Sequence, residues 1–348
     1  MDRHIISHDA TIIDALDKLN SLSGGEMTLL VVNDDGRMCG TLTDGDVRRA
    51  LLGGVTLQST VAEAMHRDFS ALKQGEESVG RLREMRRRGL HLVPVLDGDG
   101  RVTRIIDTTL TRSILPVGAI LMAGGKGERL RPLTLTTPKP LLPLGDRPVI
   151  DHNIDALASV GVNDISVTVN YMAEQLEAHF SSPVSGVRVK CVREPMPMGT
   201  IGSASLCEVP EDGETIVMNS DLLTTISFED MYIHHQAENA DITIAAIPYN
   251  VSVPYAILAT DGTRVTSLEE KPSYSYYANA GIYIISNRLL RSLPTDRRTD
   301  ATDLIDTALG AGLKVTYFPI NGTWIDIGSP ADYAHARELL RHVKQSGH

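Results

Sequence analysis

A glycine-rich segment with basic residues after it is the most chemically informative part of the sequence. Gly124, Gly125 and Gly127 follow an apolar stretch, and Arg129 and Lys139 come shortly after them. Glycines let the backbone approach a ligand closely and turn its N–H groups toward phosphate oxygens. Arg129 can grip a phosphate with a forked pair of donors, and Lys139 adds a point charge. The segment therefore predicts a phosphate-binding loop.

This loop differs from two common phosphate-binding motifs. It lacks the G-x-x-x-x-G-K-[ST] of a Walker A loop. Pro132 interrupts the helix that a dinucleotide-binding fingerprint requires after its glycines. A structural turn that happens to carry surface basic residues is the alternative explanation, and the combination of three glycines with two cations favours phosphate binding.

The stretch from Leu121 to Thr134, with the P-K-P that begins at Pro138, resembles the signature of the sugar-phosphate nucleotidyltransferases. That signature reads G-x-G-x-R-L-x-P-L-T and then P-K-P. Four further motifs stand in the order found in the family, and the resemblance covers residues 117 to about 340: VMNSD ending at Asp221, EKP from Glu270, NAGIY from Asn279 and WIDIG around Asp326. It implies transfer of a nucleoside monophosphate to a sugar 1-phosphate with release of pyrophosphate.

The resemblance also implies roles for these residues. Asp221 and Asp326 would bind Mg²⁺, which prefers carboxylates, phosphate oxygens and waters. Taken alone, either aspartate is more simply explained as a cap or turn residue. Glu270 and Asn279 would contact the sugar, and Lys271 would stabilise phosphate charge together with Arg129 and Lys139. Ser220 departs from the glycine that the family usually has before the first aspartate, which we expect to tighten the metal site.

The identity of the base is predicted from Glu194. Residues 193–200 align with the loop that contacts the base in the family, where Gly199 and Thr200 would complete the nucleotide site. Members that use UTP or dTTP commonly carry Gln at the position of Glu194. A carboxylate accepts from two donors, and guanine offers N1–H and the N2 amine side by side, so GTP is predicted. A solvated charge at a strand end is the alternative explanation.

Composition restricts the classes of partner. The chain has 33 Lys and Arg against 44 Asp and Glu, a net charge of −11, which disfavours nucleic acid and anionic membranes. Three cysteines are too few for a disulfide framework. The sequence opens without an apolar leader, and no apolar run approaches the roughly 20 residues needed to span a bilayer. We therefore expect a cytoplasmic protein.

Two domains must carry these residues. After Pro116, apolar strands alternate with helical patterns, which indicates a Rossmann-like α/β domain (116–348) with a mostly parallel sheet. An Asp261-Gly262 turn predicts a hairpin inserted in its second half. Before Pro116, residues 1–115 repeat the order helix, strand, turn and strand twice, an α+β pattern.

The repeated N-terminal region resembles a tandem of CBS domains (a Bateman module). The residues that carry the resemblance are NDDGRMCGTLTDGDV in the first half and VPVLDGDGRVTRIID in the second. In that family a Thr and an Asp three positions later hold an adenine nucleotide, and Thr43 and Asp46 match this spacing. The second half departs from it, because Arg104 stands where glycine belongs. A module that only dimerises or packs is the alternative, and a homo-oligomer is expected.

The combination of both domains is similar to the glucosamine-1-phosphate guanylyltransferases of the legionaminic acid route. Mannose-1-phosphate and heptose-1-phosphate guanylyltransferases are the near alternatives, because Glu270 and Asn279 can bind a hydroxyl or an amine alike. A non-catalytic sensor that binds a nucleotide sugar is a different class. A sensor would not need the full set of charge-stabilising residues that this sequence carries, so we expect an enzyme.

Overall fold

The computed structural model describes residues 2–346 except Gly24, Glu76 and Glu77. The chain divides into two compact units, Met1–Leu115 and Pro116–His348. Among the helices of the described residues, none has the length and apolar character needed to cross a membrane.

The N-terminal unit contains two copies of one arrangement. Each copy forms a three-stranded sheet whose first two strands are parallel and whose last two are antiparallel, with a bulge at the equivalent place. This is the internal repeat that the sequence predicts. The elements in chain order are β1 (Ile5–Ser7), α1 (Ile12–Ser21), β2 (Thr28–Val32), β3 (Met38–Thr43), α2 (Asp44–Leu52), β4 (Leu72–Lys73), α3 (Val79–Arg87), β5 (Leu92–Leu96) and β6 (Val102–Asp107).

Thr43 and Asp46 form a capping box at the start of α2. The backbone N–H and the hydroxyl of Thr43 both donate to Asp46 Oδ2, at 2.8 and 2.6 Å, and Arg49 pairs with Asp46 Oδ1 at 2.6 Å. Thr11 and Asp14 make the same box at the start of α1, with an N–H to Oδ2 distance of 3.0 Å. Helix capping therefore gives the T-x-x-D spacing a local structural role in both helices.

The C-terminal unit contains the remaining strands and helices of the chain. In chain order they are β7 (Gly118–Met122), β8 (Pro143–Leu144), β9 (Arg147–Pro148), α4 (Val149–Ser159), β10 (Ile165–Val169), α5 (Ala173–His179), β11 (Lys190–Arg193), β12 (Glu214–Asn219), β13 (Leu222–Thr224), α6 (Phe228–Glu238), β14 (Ile242–Ser252), β15 (Ile257–Asp261), β16 (Arg264–Glu269), β17 (Ser273–Ser286), α7 (Asn287–Arg291), α8 (Ala301–Gly310), β18 (Val315–Pro319), β19 (Trp324–Asp326) and α9 (Pro330–Ser346).

Seven of these strands form one sheet of order β11-β10-β7-β12-β17-β14-β18. Neighbouring strands are parallel except on either side of β17, which is antiparallel to β12 and β14. The mostly parallel α/β sheet is thus confirmed.

Burial explains why these segments are central strands. All five residues of β10 are buried, which is typical of a parallel strand covered on both faces. Ile120 of β7 and Val217 of β12 belong to one buried cluster with Leu290 and Leu304 of the helices that follow β17. The hairpin predicted from Asp261-Gly262 is present as β15 and β16, and Gly262 adopts the positive φ that such a turn requires.

Candidate active site

Two parallel neighbouring strands bring the glycine-rich loop and Asp221 to the same edge of the sheet. In the register of β7 and β12, Met122 lies opposite Asn219, so the residues that follow both strands emerge side by side. A cavity of about 580 Å³ opens at this edge. Nine of the residues predicted from sequence line it: Gly124, Gly125, Gly127, Arg129, Lys139, Glu194, Gly199, Thr200 and Asp221.

Lys139 joins the two aspartates that were predicted to bind metal. Its ammonium pairs with Asp221 Oδ2 and lies 3.5 Å from Asp326 Oδ1. The small antiparallel sheet of β13 and β19 sets this arrangement, because Asp326 pairs in register with Leu222 and so lies beside the preceding residue, Asp221. The N–H of Ile327 donates to the Asp221 carbonyl at 3.1 Å and holds the two segments together.

The environment of Asp221 fits a divalent cation. Its Oδ1 is buried and has no hydrogen-bond partner among the described residues. Burial raises the pKa of Asp221, the nearby Lys139 acts against this, and the like charge of Asp326 adds to it. Two carboxylates face one ammonium, so a negative charge and an unpaired oxygen remain, and hard oxygen ligands of this kind are what Mg²⁺ prefers.

Ser220 ties the aspartate loop to the end of β7. Its hydroxyl and its N–H both donate to the Met122 carbonyl, at 2.7 and 3.2 Å. The buried side chain of Asn153 donates to the carbonyls of Ser220 and Leu222, at 3.3 and 2.9 Å. The serine that departs from the family pattern therefore adds one side-chain hydrogen bond that a glycine could not make.

The glycine-rich loop is held in shape by contacts of Gly127 and Arg129. Gly127 has φ 61°, a left-handed conformation that favours glycine, and its carbonyl accepts from the Thr134 hydroxyl at 2.8 Å. The Arg129 guanidinium packs over Gly328, where a methyl group would lie 3.0 Å from Nη2. No carboxylate within the described residues pairs with Arg129, so its donors are available to a ligand.

Glu194 is buried, with 9% of its surface exposed, and its carboxylate lies against Gly124. Its N–H donates to the Val169 carbonyl at 2.9 Å, and its Oε2 accepts from the Met198 N–H at 3.4 Å. A methyl group at Gly124 would overlap Oε1 and lie 2.9 Å from Cδ. The glycine-rich loop and the segment expected to contact the base are therefore in direct contact.

Thr200 lines the cavity, but its polar groups are used within the protein. Its N–H donates to Asp300 Oδ1 at 2.9 Å, and its hydroxyl accepts from the Ala301 N–H at 2.8 Å, which holds the start of α8. Gly199 has φ 85°, and a methyl group there would lie 2.5 Å from the Thr299 carbonyl oxygen. Both residues thus fix the shape of the loop.

The residues expected to contact the sugar are not among those that line this cavity. Glu270 and Lys271 are exposed, and Lys271 has φ 46°. Asn279 accepts from the Gly281 N–H and donates to the Tyr283 hydroxyl, both at 2.9 Å. Their roles toward the sugar stay predictions.

The cavity also includes residues that the sequence reasoning did not single out. Asn219 lines it and packs against Gly281, and its position inside the VMNSD motif was an available signal. Arg298 lines it as well. Arg298 lies two residues before Asp300, which caps α8, and no motif in the sequence indicated a role for it.

A sequence model of the CBS domain matches residues 1–53. A model of the nucleotidyl transferase family matches residues 118–342, which include every part of the cavity described above. The chain belongs to the nucleotidyl transferase family.

Relatives within the nucleotidyl transferase family include mannose-1-phosphate guanylyltransferases. The catalytic subunit beta from Danio rerio is 33% identical over 224 residues, 62% of this chain and 62% of the relative. The mannose-1-phosphate guanyltransferase of Yarrowia lipolytica is 33% identical over 225 residues, 62% of this chain and 61% of the relative. The chain thus matches less than two thirds of the length of these relatives.

A solved structure shares the nucleotidyl transferase fold. HddC from Yersinia pseudotuberculosis, crystallised in complex with GMP-PN, has a TM-score of 0.50 and 24% identity, and the match covers 64% of this chain and 99% of HddC. A likeness at this level of identity concerns the fold alone.

Replacement of Gly124 by alanine should destabilise the ligand-free protein. The new methyl group would overlap the Glu194 carboxylate. This carboxylate is buried and accepts from the Met198 N–H, so it cannot move aside without losing that contact. Overpacking against a group held in this way costs about 1–3 kcal/mol. Gly125→Ala is the matched control, because a methyl group there meets nothing within 4 Å. Thermal unfolding of both variants without ligand measures the difference. Equal midpoints would show that Glu194 moves aside freely and that the two loops are not mechanically linked.

Proposed function

We propose that this protein transfers GMP from GTP to a sugar 1-phosphate and releases pyrophosphate. The observation that carries the proposal is the convergence in one cavity of the glycine-rich loop, Arg129, Lys139, Asp221 and the buried Glu194, with Asp326 beside Lys139. Membership of the nucleotidyl transferase family supports nucleotidyl transfer, and the guanylyltransferase names of the relatives support GTP.

The reaction needs positioning and charge stabilisation more than proton transfer. A phosphate oxygen of the sugar 1-phosphate attacks the α-phosphorus of GTP, and the bond from that phosphorus to the bridging oxygen of pyrophosphate breaks. The attacking phosphate has a second pKa of about 6 and is already largely ionised at neutral pH, so no general base is required. Arg129, Lys139 and, by our assignment, Lys271 would hold the phosphates in line and balance their charge.

Asp221 and Asp326 are the residues that would hold Mg²⁺. When bound there, the cation would supply positive charge to the phosphate oxygens as a Lewis acid. Lys139 holds both carboxylates together, and Asp221 Oδ1, which has no hydrogen-bond partner among the described residues, is available as a ligand atom.

Glu194 would read the base. Its carboxylate is buried at the cavity and can accept from N1–H and the N2 amine of guanine. Uracil and thymine would place carbonyl oxygens beside it, and a buried charged acceptor without donors is costly.

Three sugar 1-phosphates are candidate substrates. The names of the relatives favour mannose 1-phosphate, the resemblance of the whole chain to legionaminic acid enzymes favours glucosamine 1-phosphate, and heptose 1-phosphate is the third choice. Glu270 and Asn279 would contact whichever sugar binds. The test is pyrophosphate release from GTP and Mg²⁺ with each of these sugar phosphates. Nucleotide-sugar binding without turnover of any of them would instead support the non-catalytic sensor.

Asp326→Asn should keep the fold and lose most turnover, because it removes charge from the proposed Mg²⁺ site while keeping side-chain shape. Loss of a residue that only orients a metal ligand costs about 10- to 100-fold in metal affinity or activity. We therefore expect kcat to fall at least about tenfold when the proposed ligand itself is changed. Asp261→Asn, in the exposed hairpin turn, is the control. A rate for Asp326→Asn close to that of the wild type at saturating Mg²⁺ would remove the metal assignment.

Glu194→Gln should narrow the preference for GTP. Because the variant lacks the charged acceptor for two guanine donors, its kcat/KM for GTP should fall roughly tenfold to a few hundredfold. The measurement is kcat/KM for GTP, ATP, CTP, UTP and dTTP with one accepted sugar phosphate. A wild-type preference for CTP, UTP or dTTP would refute the assignment of Glu194 and leave nucleotidyl transfer intact.

The N-terminal unit is proposed to bind an adenine nucleotide through Thr43 and Asp46 and to associate into homo-oligomers. Thr43→Ala would then abolish AMP, ADP or ATP binding to the full chain in calorimetry and also cost about 1 kcal/mol of helix capping. Thr11→Ala is the matched control, since it removes the equivalent capping box in α1. Equal nucleotide binding by both variants and the wild type would show that Thr43 caps α2 and does not bind the nucleotide.

A further inference from the structure

Arg298 lines the same cavity as Glu194 although no sequence motif includes it. The side chain lines the cavity and is 68% exposed. The next residue, Thr299, donates its N–H to the Met198 carbonyl at 2.9 Å, while the Met198 N–H donates to Glu194 Oε2 at 3.4 Å. The main chain of one residue thus connects Glu194 on one side with the Arg298 segment on the other.

Asp300 holds the Arg298 guanidinium in place. Its Oδ2 pairs with Arg298 Nη2 at 3.0 Å, and its Oδ1 accepts from the Thr200 N–H at 2.9 Å. Asp300 also caps α8, so its own position is fixed by the helix. A guanidinium carries five N–H donors. The pair with Asp300 uses one of the nitrogens, and the remaining donors can bind a ligand at the cavity rim.

A carboxylate alone leaves half of the guanine edge unsatisfied. Guanine presents the donors N1–H and N2–H₂ on one side and the acceptors O6 and N7 on the other. Glu194 can only accept, so it cannot pair with O6 or N7. Arginine can only donate, and its fork matches O6 and N7 in the commonest specific contact of proteins with guanine.

We infer that Arg298 is a specificity-determining residue that donates to O6 and N7 of guanine while Glu194 accepts from N1–H and N2–H₂. This rests on the proposed use of GTP. The pair distinguishes guanine from adenine, whose N6 amine would face the guanidinium, and from pyrimidines, which lack N7. Glu194 and Arg298 have opposite charges and are connected through Met198. Glu194 can therefore pair with the donor groups of guanine and Arg298 with its acceptor groups.

The test removes single atoms from the base. With 7-deaza-GTP the N7 acceptor is lost, and with ITP the N2 amine is lost. For Arg298→Ala, kcat/KM for GTP should fall about tenfold to a hundredfold, as loss of a bidentate base contact predicts. The preference of the wild type for GTP over 7-deaza-GTP should disappear in this variant, whereas its preference for GTP over ITP should persist. Glu194→Gln should show the reverse pattern.

Control variants separate base reading from other roles. Arg297→Ala changes an exposed neighbour that does not line the cavity and should leave all ratios unchanged. Arg298→Lys keeps the charge but cannot form the fork, so it should not restore the ratio of GTP to 7-deaza-GTP. Thermal unfolding of the ligand-free variants checks that α8 and its cap are intact.

Three outcomes would contradict the inference or the function on which it rests. An equal loss for GTP, 7-deaza-GTP and ITP in Arg298→Ala would mean a phosphate contact or a structural brace and would overturn the inference. Equal use of GTP and 7-deaza-GTP by the wild type would overturn it as well. Failure of the wild type to use GTP at all would instead refute the proposed function, from which the role of Arg298 follows.

Discussion

The ammonium of Lys139 between Asp221 and Asp326 is the contact on which the rest of the site depends. Two carboxylates this close repel each other, and a cation must lie between them before a polyphosphate can be held beside them. Asp221 follows a central strand, Asp326 is paired to the next segment by a short antiparallel sheet, and Lys139 enters from a separate turn. Three distant parts of the chain must therefore be folded before any phosphate chemistry is organised.

Glycines in this site have a packing role in addition to leaving room for a ligand. Gly124 admits the Glu194 carboxylate, Gly328 admits the Arg129 guanidinium, and Gly199 admits the Thr299 carbonyl. In each case a side chain or backbone group from elsewhere occupies the place of a methyl group. The glycine-rich loop is consequently shaped by its neighbours before any ligand binds, which is the preorganisation that charge stabilisation requires.

Sequence reasoning succeeds where a residue's position follows from its own strand or loop. The spacing around β7 and β12 predicts that Gly124, Arg129 and Asp221 meet, because parallel neighbours end at one edge. Contacts between distant segments could not be predicted in this way. Thr200 lines the cavity as expected, but its hydrogen bonds to Asp300 and Ala301 are visible only in the structure. The segment that carries Arg298 is likewise held beside the cavity by the hydrogen bond from Thr299 to Met198. Neither contact leaves a periodic signal in the sequence.

The two ends of the cavity differ in what keeps them rigid. The end formed by the glycine-rich loop rests on buried parallel strands, whose geometry is fixed by ladder hydrogen bonds and by packing on both faces. The end formed by Thr200 and Arg298 rests on a loop braced by the first turn of α8, where Asp300 caps the helix, accepts from Thr200 and pairs with Arg298. Because Asp300 has three simultaneous partners, the stability of α8 is linked to the position of the Arg298 side chain. In the function that we propose, changes in α8 would therefore alter the selectivity for the base through Arg298.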